Sequence, residues 1–486
     1  MLIDSFILSL FMKYELVVGL EIHVQLDTKT KFLCGCDNES FGVEPNENTC
    51  PVCQGFPGML PKVNEQAIEM GARAALALNL QVQNYSEFDR KNYFYPDNPT
   101  AYQVTQMYHP VSLDGYFDIP LEDGSEHRVR LNRMHLECDA GKLVHTADGS
   151  LVDFNRAGTP LMEIVSEPDF RNTEQVKSFL QELQKILRYT GSSRADMEKG
   201  NMRCDANISL RLKGEEEYGT RCEIKNINSF SNVVDAIRYE ATRQAKILDT
   251  GGQVDQETRG WNVEKQESYT MRSKEDAMDY RYFPEPDLPP VELSDEYIQS
   301  LKDSLPELPL AKQKRFVEDM GIAFEAAKML ASDRELALYF EKTADISGDA
   351  KKSANWILSE LLGRMKEEGK ELHHVLVLPD HIAEIIALIA SGDISGKIAK
   401  DVFDIIYKTG DSPSKVVEDK GWKQVSDIGA IEKMIDEVLQ NNPTQLEQYR
   451  GGQDKLFGFF VGQVMKASQG QANPGMINEI LKKKLA

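Results

Sequence analysis

The sequence predicts an α+β amino-terminal domain with a largely antiparallel sheet, followed by all-helical domains. Three observations carry that prediction. As far as about residue 290, short alternating apolar and polar runs are punctuated by Gly, Pro, Asn and Asp, as half-buried strands are. The segment Tyr282–Pro309 then holds six of the chain's 20 prolines. Beyond it cysteine is absent and long stretches of 3.6-residue periodicity take over.

The strands share an unusual polar face. Alternate side chains of a strand point to opposite sides. In VVGLEIHVQL, Leu20, Ile22, Val24 and Leu26 therefore face a core while Glu21, His23 and Gln25 face away. In RMHLECDAG, His135, Glu137 and Asp139 alternate with Leu136 and Cys138. TPLMEIVSEPD puts Glu163 inside an apolar run. In RCDANISLRL, Asp205, Asn207, Ser209 and Arg211 share a face, and in TRCEIKNIN so do Glu223 and Lys225. A solvated sheet face accounts for any one of these strands. Together they gather carboxylates, amides and imidazoles, and carboxylates from several strands repel unless a cation sits between them. Mg²⁺ suits carboxylate and water oxygens, with a substrate phosphate completing its shell. His23 fits either a metal ligand or a neutral hydrogen-bonding residue.

Two helices belong to the same half. Val63–Asn79 is amphipathic, and TEQVKSFLQELQKILRYTG sets Val176, Phe179, Leu180, Leu183 and Leu187 on one stripe before Gly191 at the C-cap position. The run Asp89–Gln106 places Arg90 and Lys91 beside Tyr93, Phe94 and Tyr95. It reads equally as a phosphate-and-base contact or as an aromatic loop packed under the sheet.

Four of the seven cysteines form two tight pairs, Cys34-x-Cys36 and Cys50-x-x-Cys53. The first 15 residues, MLIDSFILSLFMKYE, lack the basic start, apolar length and small-residue cleavage site of a secretion signal. Met12 is the expected start, with residues 1–11 an extension. A soluble, cytoplasmic protein without membrane attachment is expected. In a reducing compartment paired cysteines serve metals more often than disulfides. No βαβ pattern surrounds the Cys-x-x-Cys, so structural zinc held by Cys34, Cys36, Cys50 and Cys53 is favoured over redox chemistry. A closed four-thiolate shell leaves no open coordination position, so this site is not catalytic. Cys138, Cys204 and Cys222 read as small buried hydrophobes.

The formal charge of −22 counts against a general polyanion binder. The exception is the carboxyl end. From residue 455 onward, Lys455, Lys466, Lys482, Lys483 and Lys484 stand against the single acid Glu479, on an apolar helical pattern. Such a face can grip an RNA backbone without reading its sequence. The chain has no Walker phosphate loop, dinucleotide fingerprint or Gly-x-Ser-x-Gly elbow.

The motifs GLEIHVQL, FLCGC…NTCPVCQGFPGMLPKVN, FDRKNYFYPDNPTAYQ, HLECDAGK, DFNRAGTPLMEIVSEPD, MRCDANISL, EIKNINSF, DYRYFPEPDLPP and VGQVMKASQGQANP resemble the B-subunit family of aspartyl/glutamyl-tRNA amidotransferases, from Tyr14 to the carboxyl end. The resemblance implies a cradle domain, a helical domain and a YqeY-like tail. It implies ATP- and Mg²⁺-dependent phosphorylation of the side-chain carboxylate on mischarged Glu-tRNA(Gln) or Asp-tRNA(Asn). Ammonia would come from a partner glutaminase A subunit, with a small C subunit completing a heterotrimer. Carried over residue by residue, Glu21, His23, Glu137 and Glu163 form the catalytic and Mg²⁺ centre. Asp139, Asp205, Asn207 and Lys225 contact ATP or support that centre, and Glu137 lies opposite Glu21 and His23 across the cradle. Arg90, Lys91, Lys455, Lys466, Lys482 and Lys483 contact tRNA. Cys138, where many relatives carry a second acid, points away from Glu137. The expected divisions are 1–13 (extension), 14–293 (cradle, with a zinc knuckle at 32–55), 294–408 (helical) and 409–486 (tail), the last break falling at the turn Lys408–Lys415. The competing class is a non-catalytic, zinc-containing tRNA-binding scaffold.

Overall fold

The computed structural model describes residues 13–273, 279–423, 428–468, 472 and 474–485; the expected start at Met12 lies outside them. The chain divides into two compact units after Pro309.

The first unit is built on a nine-stranded sheet. Its strands are β1 (Tyr14–Gln25), β2 (Gln81–Val82), β3 (Ser112–Pro120), β4 (Glu126–Cys138), β5 (Pro160–Ser166), β6 (Met202–Leu212), β7 (Cys222–Ile227), β8 (Glu257–Asn262) and β9 (Glu267–Ser273). Their order across the sheet is β9-β8-β7-β6-β1-β5-β4-β3-β2, with only β7 and β8 paired parallel. The largely antiparallel sheet expected from the alternating runs is therefore present. A smaller sheet pairs Asp89–Asn92 with Tyr102–Thr105 and with Phe283–Pro284.

The apolar halves of the alternating strands meet three helices, α1 (Glu65–Ala77), α2 (Thr173–Tyr189) and α3 (Phe230–Asp249), in one core. Leu20, Ile22 and Val24 of β1, Leu136 of β4, Ile164 of β5 and Ile208 of β6 are buried in it. Each such side chain contributes roughly 1.5–3 kcal/mol by leaving water. The stripe on α2 is the expected one: Val176, Phe179, Leu180, Leu183 and Leu187 are all buried, and the Phe179 ring lies 4.8 Å from Phe117 and 5.1 Å from Phe170. Asn172 caps its start by accepting a bond from the Gln175 N–H, and Gly191 leaves it at φ +69°. Helix α1 is shorter than the periodic stretch Val63–Asn79 because Asn64 caps it. It crosses β4 closely at Gly71, where an added Cβ would sit 2.8 Å from Leu136 Cδ2.

The division after residue 293 read from the sequence differs from the observed one by a short helix. Asp295–Asp303 buries Leu301 in the first unit's core. In the second unit one core runs from Phe316 to Val417. Val416 and Val417 belong to it, so the turn at Lys408–Lys415 lies inside this core. A separate core, Ile431–Leu485, is formed by helices α4 (Ile428–Asn441), α5 (Leu456–Ala467) and α6 (Pro474–Leu485) with Pro443–Arg450. Among the described residues no helix is long and apolar enough to cross a membrane.

Candidate active site and metal centre

Register builds the site. His23 on β1 pairs with Glu163 on β5, and Glu163 pairs with His135 on β4. On the other side of β1, Glu21 pairs with Asp205 and His23 with Arg203, both on β6. One step along, Gln25 pairs with Leu161 and Leu161 with Glu137. Directly opposed residues share a face. Four strands thus present one polar surface, although they are far apart in sequence.

The side chains converge. His23 Nε2 lies 3.3 Å from Glu163 Oε2, 3.7 Å from Glu137 Oε1 and 3.8 Å from Glu21 Oε1. His135 Nε2 lies 3.4 Å from the same Glu163 oxygen. Glu137, Glu163 and His135 are buried. Glu137 is therefore beside Glu21 and His23 on one sheet face, two strands from β1, and not opposite them across a cleft. The expectation of opposition treated β1 and β4 as separate walls, whereas β5 joins them.

The charges at the site are strongly coupled. Burial, then Glu163, raise the Glu21 carboxyl to about 7, against the opposing pull of His23 and Lys225. Burial works against the His23 imidazolium, but the bond and charge of Glu163, with Glu137 and Asp205, prevail and raise it to about 9. Burial likewise opposes the Glu163 carboxylate, yet His135 and His23 hold it well below the usual range. Two buried atoms, Glu137 Oε2 and His135 Nδ1, find no hydrogen-bond partner among the described residues. Such orphaned groups are costly unless a ligand satisfies them. The geometry offers two overlapping ligand groups, Glu21–His23–Glu163 and His135–Glu137–Glu163. Both the donor set and the unpaired carboxylate oxygen fit a divalent cation.

Cations rim this acidic surface. Lys225 Nζ lies 3.1 Å from Asp205 and 2.9 Å from Glu223, and is held protonated against burial by those carboxylates and Glu21. Arg203 Nη2 donates to both oxygens of Asp139 at 3.0 Å, and Arg156 Nε reaches Asp139 at 3.0 Å. Asp139 thus orients two guanidinium groups and is already engaged on both oxygens. Asn207 shares the face of Asp205 but pairs with Gly19, one step farther from the cluster. Arg90 and Lys91, adjacent on one strand, point in opposite directions. The Arg90 guanidinium is taken up by Glu285 at 2.7 Å on two nitrogens and by Asp287, and lies 4.2 Å from the Tyr102 ring centre. It ties the small sheet together. Lys91 is half-buried, its ammonium 5.0 Å from the Tyr280 ring centre, and burial lowers its pKa while the nearby charges of Glu137, Tyr282 and Glu163 prevail and raise it.

His135 and Arg203 belong to this surface: the alternation put His135 on the polar face of its strand without making it a site residue, and Arg203 was not singled out. Their signal was present: the same period-two alternation reaches both. Cys138 is buried in the core on the other side of β4, as expected.

The four paired cysteines come together in a separate centre. Cys34, Cys36, Cys50 and Cys53 offer sulfurs that all lie within 4.8 Å of one another. Cys50 Sγ and Cys53 Sγ are 3.9 Å apart, close to the roughly 3.8 Å that a tetrahedron with Zn–S bonds of about 2.3 Å requires. A bond from Cys34 draws the Cys53 thiol down to about 5 despite its burial, helped by the Cys50 N–H and Lys31. The same sharing pushes Cys34 up, and burial raises Cys36 to about 11. Four sulfurs gathered this closely, at the spacing of a tetrahedral shell, fit zinc. None of the seven cysteines is in a disulfide.

In the carboxyl-terminal core, Lys484 pairs with Asp436 on α4 at 2.6 Å and Lys483 with Glu479 at 2.8 Å. Lys455, Lys466 and Lys482 stay exposed. The basic face is thus narrower than its composition implies.

Comparison with known proteins agrees with this layout. Residues 16–299 match the family model of the GatB/GatE catalytic domain, and residues 338–485 match that of the GatB domain. The chain is 53% identical over 475 residues to the B subunit of the aspartyl/glutamyl-tRNA(Asn/Gln) amidotransferase of Persephonella marina, covering 98% of this chain and all of that one. It is 50% identical over 479 residues to the corresponding protein of a Geobacter species, again 98% of this chain and all of the relative. With that of Brevibacillus brevis it shares 46% over 475 residues, 97% of this chain and 99% of the relative. The buried carboxylate–imidazole surface and the four-cysteine centre are thus those of a chain that belongs to the B-subunit family of aspartyl/glutamyl-tRNA amidotransferases.

Proposed function

We propose that this chain activates and amidates the side-chain carboxylate of Glu-tRNA(Gln) and/or Asp-tRNA(Asn), using ATP, with ammonia supplied by a partner glutaminase in a heterotrimer completed by a small third protein. The observation that supports this best is the convergence of Glu21, His23, His135, Glu137 and Glu163 on one sheet face, rimmed by Lys91, Lys225 and Arg203.

A carboxylate is a poor electrophile, and oxide a poor leaving group. Phosphorylation converts that oxygen into one that ammonia can displace. Phosphoryl transfer is catalysed mainly by positioning and by charge compensation. Lys91, Lys225 and Arg203 supply fixed positive charge for phosphate oxygens. Asp139 and Asp205 hold Arg203 and Lys225 in place, so these cations are preorganised before substrate arrives. Glu21, Glu137 and Glu163 would hold Mg²⁺, with the His23 imidazole joining them once it gives up its proton, and His135 fixing Glu163 from its other side. The ion would supply charge neutralisation at the phosphates and orientation of the transferred group. The buried wall of β5 and β4 keeps bulk water from one side of the acyl phosphate. The exposed lysines of the last core would contact the tRNA backbone away from the chemistry. Zinc at the four cysteines would brace the knuckle.

A non-catalytic tRNA-binding scaffold would explain the zinc centre and the lysines. It gives no reason to desolvate two carboxylates and two imidazoles together, at a cost of several kcal/mol. The test is Glu137→Gln in the reconstituted complex. Formation of γ-phosphoryl-glutamyl-tRNA and of amidated tRNA is expected to fall by orders of magnitude, while binding of mischarged tRNA and the partner's glutaminase persist. Phosphorylation at the wild-type rate would refute the assignment.

A further inference from the structure

We infer that Lys31 is the fixed counter-charge of the four-cysteine centre: a positioning residue that ligates no metal but damps the negative charge on the sulfurs and keeps them unreactive. This rests on the zinc reading above.

Lys31 is one of the largest fully buried side chains of the protein, with no measurable exposure. A buried ammonium is strongly unfavourable unless an anion compensates it. Its Nζ lies 3.7 Å from Cys53 Sγ and 3.2 Å from the Phe154 carbonyl oxygen, and among the described residues it pairs with no carboxylate. Among the described residues the thiolate cluster is thus its anionic partner. Four thiolates around a divalent ion leave a surplus of two negative charges. Of the four sulfur-bearing residues Cys53, the one that Lys31 touches, is buried, so their contact is the part of the centre least screened by solvent. One ammonium in contact halves the surplus.

The backbone fixes this contact. The Lys31 N–H donates to the Cys36 carbonyl at 2.9 Å, closing the loop that carries the first cysteine pair. The next residue, Phe32, donates to the Gly158 carbonyl at 2.9 Å. Gly158, at φ +83°, lays its turn over both side chains: an added Cβ would sit 3.6 Å from Cys53 Cβ and 3.8 Å from Lys31 Cδ. The lysine stem is thus enclosed between the knuckle and the loop that precedes β5, and its ammonium has one direction to point. A neighbouring cation and N–H donor lower the basicity of a bound thiolate, and with it the reactivity toward electrophiles.

The experiment compares the full-length wild-type chain with Lys31→Met, which keeps the length and removes the charge. Both are expected to hold one zinc. In the variant, N-ethylmaleimide labelling of the peptide bearing Cys50 and Cys53 is expected to run roughly 2.5- to 3-fold faster, the response to one unit of thiolate basicity at a Brønsted slope of about 0.4–0.5. The sulfur-to-cobalt charge-transfer band of the Co²⁺-substituted variant is expected at longer wavelength, because more electron-rich thiolates give up charge more easily. A merely space-filling lysine would not move that band. Lys31→Gln, neutral but still able to donate to Phe154, carries the same test if the methionine variant does not fold. Retained metal with unchanged labelling rate and band would overturn the proposal, as would failure of both neutral variants to fold. A wild-type chain that holds no zinc would instead refute the zinc reading itself.

Discussion

His23 Nε2 lies 3.3 Å from Glu163 Oε2, across neighbouring strands, the imidazole half-buried and the carboxylate buried. Each group determines the other's charge: the carboxylate raises the imidazole to about 9, and the imidazoles of His23 and His135 keep the carboxylate ionised. Glu163→Gln retains the shape but removes the charge that both imidazoles share. ATP-dependent phosphorylation of mischarged tRNA is expected to fall by two or more orders of magnitude, in line with the several kcal/mol that metal-centred charge neutralisation supplies. Mn²⁺ binding, followed by electron paramagnetic resonance, is expected to weaken in parallel. Unaltered Mn²⁺ affinity would show that Glu163 holds no cation.

The four-cysteine centre should behave as a brace. Elemental analysis of the purified chain is expected to give one zinc. Cys34→Ser should lose it and melt at lower temperature, because a structural site contributes its binding energy to the fold. The chemistry at the acidic surface should persist at temperatures where the variant remains folded. A zinc-free wild-type chain of undiminished stability would contradict this.

The contribution of the basic end must be tested by charge and not by deletion. Removing residues 455–486 would strip α5 and α6 from the third core, exposing Ile431 and Ile435, which are fully buried. Replacing Lys455, Lys466 and Lys482 by Glu leaves that core intact. The apparent KM for mischarged tRNA is expected to rise severalfold with kcat unchanged. Its salt dependence should become shallower by roughly one unit of log–log slope for each lysine that meets a phosphate. An unchanged KM would remove these lysines from the tRNA contact.

Acid stability should depend on Asp169, remote from the site. Burial alone would raise its carboxyl, but Arg130 outweighs it, donating from Nε at 2.9 Å, Nη2 at 2.6 Å and its backbone N–H at 3.0 Å. A carboxyl depressed in the folded state stabilises fully above its unfolded pKa of about 3.9, and that stability is lost as pH falls through the lower folded value. Asp169→Asn is expected to cost about 1–2 kcal/mol at pH 7, modest because Arg130 is mostly exposed. Below pH 4 the difference from wild type should shrink. Urea melts at pH 7, 5 and 3 read it out, and a constant difference would assign the effect to packing.

Much of this protein is determined by local sequence. The alternation around Glu21, His23, Glu137, Glu163 and Asp205 fixes which residues leave the core, because a strand's side-chain period is two whatever it pairs with. The spacing of Cys34, Cys36, Cys50 and Cys53 likewise requires only short turns to gather four sulfurs. The stripe on α2 and its cap at Asn172 are written within one segment. Tertiary structure decided the rest, since strand order is set by long-range pairing that local periodicity does not encode. Only because β5 lies between β1 and β4 does Glu163 meet both His23 and His135, and does Glu137 stand beside Glu21. Only pairing with Phe283–Pro284 brings Glu285 to Arg90, while Lys91, one residue on, turns to the acids. The burial of Lys31 depends on a turn at Gly158, more than a hundred residues away. A charged residue's partners are chosen by the fold's long-range contacts, so its role becomes readable only once those contacts are known.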